Sequence, residues 1–165
     1  MEASRPLIEQ AGHAVEVAIP SDPIELDADP IRIAQVLSNL LNNAAKYTHP
    51  GGKITLRAAR VNSEIEIAVE DNGIGMPPES IAKLFDIFAQ SASASHLSRG
   101  GLGIGLFLVK SLTEMHGGSV SAHSEGPARG AVSPSACPHR LGTGGGPARC
   151  AGGWIRRPPH QAGAG

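Results

Sequence analysis

Apolar residues along this chain recur with two periods, and the switches between them mark out its elements. Over residues 13–19, Val15, Val17 and Ile19 alternate with polar or small neighbours, which predicts a strand. Ser21-Asp22-Pro23 reads as a turn and residues 24–26 as a second, short strand. Asp27-Ala28-Asp29-Pro30 then opens a helix: Asp29 suits the N-cap and Pro30 the first helical position. Within it, Ile33, Val36, Leu37, Leu40, Leu41 and Ala44 follow helical spacing and form a core stripe. His49-Pro50-Gly51-Gly52 ends it. Residues 53–61 and 64–70 read as the strands of a hairpin around Asn62-Ser63, the second burying Ile65, Ile67 and Val69. Gly73, Gly75 and Pro77-Pro78 break the pattern after Asp71. A short helix is predicted over 79–88, a Ser/Ala-rich loop over 90–100, an apolar helix over 106–115 ended by His116-Gly117-Gly118, and a strand over 119–123. This order predicts an α+β fold: a two-layer sandwich, its mixed sheet carrying about three helices on one face.

Composition divides the chain. At 165 residues there is room for one ordinary domain. Residues 1–130 hold all 15 acidic and 10 of the 14 basic residues, a net of −5, whereas 131–165 carry four arginines and no acid. That tail has 13 Gly or Pro among 35 residues and no sustained hydrophobic period, so it is expected to be disordered. The predicted units are therefore a domain over 1–130 and a Gly/Pro/Arg-rich tail over 131–165. The overall charge of −1 gives no nucleic-acid footprint, no apolar run is long enough to span a bilayer, and no signal-peptide core follows the first residues. Cys137 and Cys150 lie outside the patterned region and read as incidental thiols.

Three polar clusters interrupt an otherwise ordinary packing pattern. On the long helix, Asn39, Asn43 and Lys46 fall within roughly 60° of one another, beside the core stripe. Amide oxygens suit a hard cation and an ammonium suits phosphate. Asp71-Asn-Gly73-Ile74-Gly75-Met76 follows a strand directly. An aspartate there can accept from an exocyclic amine such as that of adenine, and glycines allow close approach of a ligand. Arg99-Gly-Gly101-Leu102-Gly103-Ile-Gly105-Leu106 puts free amides at a helix start, an anion site, with Arg99 adding a cation. Singly, each has a plainer reading: a solvated helix face, a turn after an edge strand, and a Gly-x-Gly loop that lacks the βαβ setting of a dinucleotide fingerprint.

Together, in this order, they resemble the ATP-binding catalytic domain of sensor histidine kinases, within the superfamily shared with gyrase, mutL-type repair proteins and the ninety-kilodalton heat-shock chaperones. Asn39-Leu-Leu-Asn-Asn43-Ala-Ala-Lys46-Tyr47-Thr48 matches the first box and Asp71-Asn-Gly73-Ile74-Gly75-Met76 the second. Lys83-Leu-Phe85-Asp-Ile-Phe88 resembles the phenylalanine box, though two phenylalanines at that spacing are also simple core anchors. Gly101-Leu102-Gly103-Ile-Gly105-Leu106 resembles the last glycine box. Lys46-Tyr47 and the phenylalanines look like the kinase branch. The resemblance implies a Bergerat-type fold binding ATP and Mg²⁺. By it, Asn43 coordinates the metal with Asn39 close by, Lys46 contacts phosphate, Tyr47 packs near the adenine and Asp71 reads it. Residues 90–100 form a lid carrying Arg99 to the terminal phosphate. Asn43, Lys46 and Arg99 take the catalytic roles, and Gly73, Ile74, Gly75, Met76, Gly101, Leu102, Gly103, Gly105 and Leu106 complete the nucleotide site.

The same resemblance implies partners: a dimeric phosphoacceptor histidine domain and a response regulator, with the domain itself cytoplasmic. Almost nothing precedes Arg5 and no acceptor box is present, so the fragment is expected to be monomeric and unable to autophosphorylate alone. The family's last strand, resembling Phe-Thr-Val-Arg-Leu-Pro, is expected to be missing. Val132-Ser-Pro-Ser-Ala-Cys-Pro138 stands there instead, and with third bases free to choose, its codons read as that strand in a shifted frame. A frameshift would account for the whole tail. The alternative functions are a non-catalytic nucleotide-binding or interaction module, an ATPase of the repair or chaperone kind, and a product with no cellular role.

Overall fold

The computed structural model describes residues 4–61, 64–87, 104–124 and 135–137. The first element is one the hydrophobic pattern did not reveal: α1 (Arg5–Gln10), six residues long and too short to display a helical period. Gly12, at φ +66°, turns the chain into β1 (Ala14–Ala18). Residues 24–26 do not form the predicted second strand. They run between Pro23 and the next helix cap, past the last β1 pairing at Ala18, with no strand beside them among the described residues. α2 (Pro30–Tyr47) begins as expected: the Asp29 carboxylate accepts from the Ile31 amide at 2.8 Å and the Arg32 amide at 3.3 Å.

β2 (Lys53–Val61) and β3 (Glu64–Asp71) form the hairpin, antiparallel from Ile54 opposite Asp71 to Val61 opposite Glu64. β1 lies parallel to β2, with Val15 beside Ile54 and Val17 beside Leu56. The predicted helix over 79–88 is a single turn, α3 (Pro78–Ile81). After it, Lys83, Leu84 and Asp86 donate to carbonyls three residues back, so the chain continues as tight turns. α4 (Gly105–Met115) and β4 (Ser119–Ser121) follow, and Gly117 at φ +72° reverses the chain between them.

The final strand is present in short form, which corrects the expectation that it is missing. β5 (Ser135–Cys137) pairs antiparallel with β3 at Ile67 and Ala68, and with β4 from Ser119 to Ser121. The sheet order is β1-β2-β3-β5-β4, so this strand fills an interior slot, not an edge. Backbone pairing is indifferent to side chains, and two facing strand edges accept an extended Ser-Ala-Cys where the family's residues are absent. Residues 138–165, the greater part of the expected tail, lie outside the described residues, as does residue 88 of the phenylalanine box.

α2 and α4 pack on each other and both reach the sheet, giving the expected two layers. Val36, Leu40, Leu41, Ala44 and Ala45 of α2 meet Ile54 and Leu56 of β2, Val69 of β3, and Val109 and Leu112 of α4 in one core. Ile65 and Val69 are buried as expected and Ile67 packs against the core half-exposed. At the sheet's edge, alternation marks β1 as a strand without marking a buried face: Val15, Val17 and Ile19 are 37%, 45% and 57% exposed.

Candidate nucleotide site

The core stripe of α2 anchors the helix, which leaves Asn39, Asn43 and Lys46 on its flank, each half-buried. Asn39 is oriented by its own helix. Its Nδ2 donates to the Gln35 carbonyl at 3.0 Å. A carbonyl only accepts, so the nitrogen must face it, and Oδ1 is left to face away. That oxygen points at the first residue of α4: a β-carbon on Gly105 would lie 3.3 Å from Asn39 Oδ1 and 4.0 Å from Asn43 Nδ2. The asparagine wall and the end of the last glycine box, over sixty residues apart in sequence, thus meet face to face. Ile104 supplies no side-chain cap, so among the described residues the first amides of α4 have no capping partner, the arrangement an anion can use. Leu106 turns inward and packs against the core. Lys46 Nζ sits 5.1 Å from the centroid of the Tyr47 ring, within cation–π range, which ties the two predicted neighbours together.

The second box docks on the end of the same helix. Asp71 Oδ1 accepts from the Gly73 amide at 2.9 Å, closing a tight turn, and the Ile74 amide donates to the Tyr47 carbonyl at 3.1 Å. Gly73 is required for space: a β-carbon would collide with the Tyr47 carbonyl. Gly75 is required for conformation, with φ at +67°. Asn72 Oδ1 accepts from the Lys53 amide at 2.7 Å, pinning the turn to the start of β2, and the Met76 amide donates to Ser124 Oγ at 2.9 Å.

Asp71 is buried, and that burial pushes its carboxyl up to about 6; the Gly73 amide, the Thr48 hydroxyl and nearby His13 pull the other way. An aspartate kept at the edge of ionisation in a buried turn is a ready acceptor for a donor group entering the pocket. His13 is buried too, its Nε2 3.0 Å from the Ala45 carbonyl, and its Nδ1 has no hydrogen-bond partner among the described residues. The sequence reading gave His13, Thr48 and Ser124 no role at the site. The signal for Thr48 was its place one residue past the helix, facing the turn after β3; a lone histidine before an edge strand gives none.

Of the expected site residues, Asn39, Asn43, Lys46, Tyr47, Asp71, Gly73, Ile74, Gly75, Met76, Gly105 and Leu106 lie on three segments that meet at the flank and C-terminal end of α2. Arg99, Gly101, Leu102 and Gly103, and the lid over 90–100, lie outside the described residues. Among the described residues no group of three or more His, Cys, Asp or Glu is placed to hold a metal ion. Nor is any described helix long and apolar enough to cross a membrane.

Comparison with known proteins agrees with this geometry. Residues 28–135 match the family described as histidine kinase-, DNA gyrase B-, and HSP90-like ATPase. The circadian input-output histidine kinase CikA of Synechococcus elongatus is 43% identical over 97 residues, 59% of this chain and 13% of that protein. The histidine protein kinase DivJ of Caulobacter vibrioides is 35% identical over 114 residues, 69% of this chain and 19% of its own length. This chain therefore spans less than a fifth of either curated relative. The mycobacterial sensor histidine kinase MprB superposes with a TM-score of 0.68 at 27% identity, covering 83% of this chain and 93% of that structure. The chain belongs to the histidine kinase-, DNA gyrase B- and HSP90-like ATPase family, and its matched region is the ATP-binding catalytic domain found in sensor histidine kinases.

Proposed function

We propose that this domain binds Mg·ATP and transfers the γ-phosphate to a histidine on a separate acceptor domain, as one module of a two-component signalling kinase. The observation that carries the reading is the meeting of Asn39 and Asn43 with Gly105, which sets the Asn39 amide oxygen opposite the start of α4, where Ile104 supplies no side-chain cap. The residues fit both groups. Asn43 and Asn39 offer neutral oxygens to a hard cation, and the start of α4 offers amides to phosphate. Magnesium would supply charge neutralisation on the phosphates. Lys46 would contact phosphate, leaving the Tyr47 ring on which it now rests. Tyr47 and Asp71 would hold the adenine, with Ile74 and Met76 lining that end, and Arg99 would reach the terminal phosphate from the lid.

The acceptor domain and a response regulator are the partners this reading names, in the cytoplasm. The catalytic unit on this reading is residues 1–130, closed by the short strand at 135–137. Fluorescent-ATP binding with and without Mg²⁺, on wild type and Asn43→Ala, tests it. Binding should need Mg²⁺ in wild type and weaken at least tenfold in the variant; a folded sample with no Mg²⁺-dependent binding refutes it. Phosphohistidine on a separately supplied acceptor domain then separates a kinase from a plain nucleotide binder.

A further inference from the structure

His116 joins two helix ends that lie far apart in sequence. Its Nδ1 is 2.8 Å from the Leu112 carbonyl in the last turn of α4. Its Nε2 accepts from the Asp29 backbone amide, the N-cap of α2, at 3.2 Å. The two contacts select one tautomer: a carbonyl only accepts, so Nδ1 carries the hydrogen, and an amide only donates, so Nε2 carries the lone pair. The ring is a two-ended connector between the C-terminus of α4 and the N-terminus of α2.

The opposite end of α4 is where Gly105 faces Asn39. Asp29 to Asn39 spans about 15 Å along α2, and Gly105 to His116 about 16 Å along α4, at 1.5 Å per residue. The helices therefore run antiparallel, and besides their shared apolar core they meet at two points about ten residues apart: His116 on Asp29, and Gly105 on Asn39. A glycine at the second point supplies no side chain to fix the axial position of α4. The connector at the first point adds a directional polar contact to the apolar packing between the helices.

We infer that His116 is a positioning residue, setting how far α4 slides along α2 and hence the gap between the asparagine wall and the phosphate-binding helix start. This rests on the nucleotide-site reading above. It concerns the triphosphate end of the ligand only, because the adenine end is built on the Asp71–Gly73 turn and the Tyr47 carbonyl, which His116 does not touch.

Two amide substitutions separate this role from helix capping. Asn at 116 keeps a donor at the Nδ1 position and so keeps the Leu112 contact, but is too short to reach Asp29. Gln places an acceptor at the Nε2 position and restores the Asp29 contact. In the full chain, His116→Asn should weaken Mg·ATP about 3- to 10-fold while leaving AMP within about twofold, and His116→Gln should restore Mg·ATP. Mg·ATP affinity unchanged in His116→Asn, or AMP weakened equally, overturns the inference. Amide exchange at Asp29 reads the connector without any nucleotide: slow in wild type and His116→Gln, fast in His116→Asn. If wild type binds no nucleotide, the site reading fails on its own account. Equal Asp29 exchange in all three proteins overturns the connector.

Discussion

A methyl group placed on Gly73 would run into the carbonyl oxygen of Tyr47, the last residue of α2. The obstacle is main chain, which cannot swing aside, and that same carbonyl already accepts from Ile74. Gly73→Ala should lose about 1–3 kcal/mol of stability through overpacking, with nucleotide affinity falling at least tenfold as the turn is pushed off the helix. A denaturant melt and a binding titration on one sample check both.

Gly105→Ala is the instructive contrast. Its β-carbon would meet a side-chain oxygen at 3.3 Å, and Asn39 can shift by a few tenths of an ångström. Alanine is also the better helix residue, by up to about 1 kcal/mol. The variant should melt at or above wild type yet bind Mg·ATP more weakly, because the displaced group is a proposed metal neighbour. A loss of stability without a loss of Mg²⁺ dependence would contradict that assignment.

Asp71 gives a pH signature with two opposite signs. Burial raises its carboxyl from 3.8 to about 6, so the folded protein holds this proton more tightly than the unfolded chain. Stability from this group is therefore greatest below about pH 4 and is lost as pH rises to 6, a change of about 3 kcal/mol. Ligand acceptance runs the other way, since an amine donor needs the ionised carboxylate, so nucleotide affinity should fall below pH 6. Asp71→Asn should flatten the stability profile between pH 4 and 7 and bind nucleotide weakly throughout. Thermal melts and titrations across that range test it.

The N-cap at Asp29 is separable from the histidine connector, because one uses the side chain and the other the main chain. Asp29→Ala removes the carboxylate that caps Ile31 and Arg32 and keeps the amide that His116 accepts from. It should cost about 1 kcal/mol of stability, seen as a lower denaturant midpoint, with Mg·ATP affinity nearly unchanged.

β5 is three residues long and pairs with β3 at only two positions. If the gene carries a frameshift, the codons for residues 132–138 read Phe-Thr-Val-Arg-Leu-Pro in the next frame, and nucleotide sequencing decides this. Whatever the gene shows, replacing residues 133–138 with that hexapeptide should lengthen the strand and raise the melting midpoint by several degrees, because it adds ladder pairing and apolar contacts.

The elements that showed in the sequence are those whose burial and period coincide. α2 shows both the cap Asp29-Pro30 and a full apolar stripe, and its bounds came out within a residue. α1 is too short for a period, and the predicted helix over 79–88 gives way after Ile81 to tight turns that no spacing predicts. At the site, the polar residues on α2 and the Asp71 turn were legible because they break the packing logic of their own elements. His116 read as a helix end and nothing more, because its second contact, with Asp29, lies 87 residues away. Long-range backbone contacts leave no trace in composition.

The strand order carries a consequence for how the protein is made. β5 lies between β3 and β4, although it is the last of the nine described elements to leave the ribosome. Among the described residues β4 has no partner strand until residues 135–137 emerge, and α4 is held mainly by α2. The nascent chain thus has a three-stranded half, β1 to β3, able to form early, and a second half that waits for the keystone. Synthesis halted before residue 135 would release every nucleotide-site residue in a sheet still divided, open to pairing with another chain along the β3 edge.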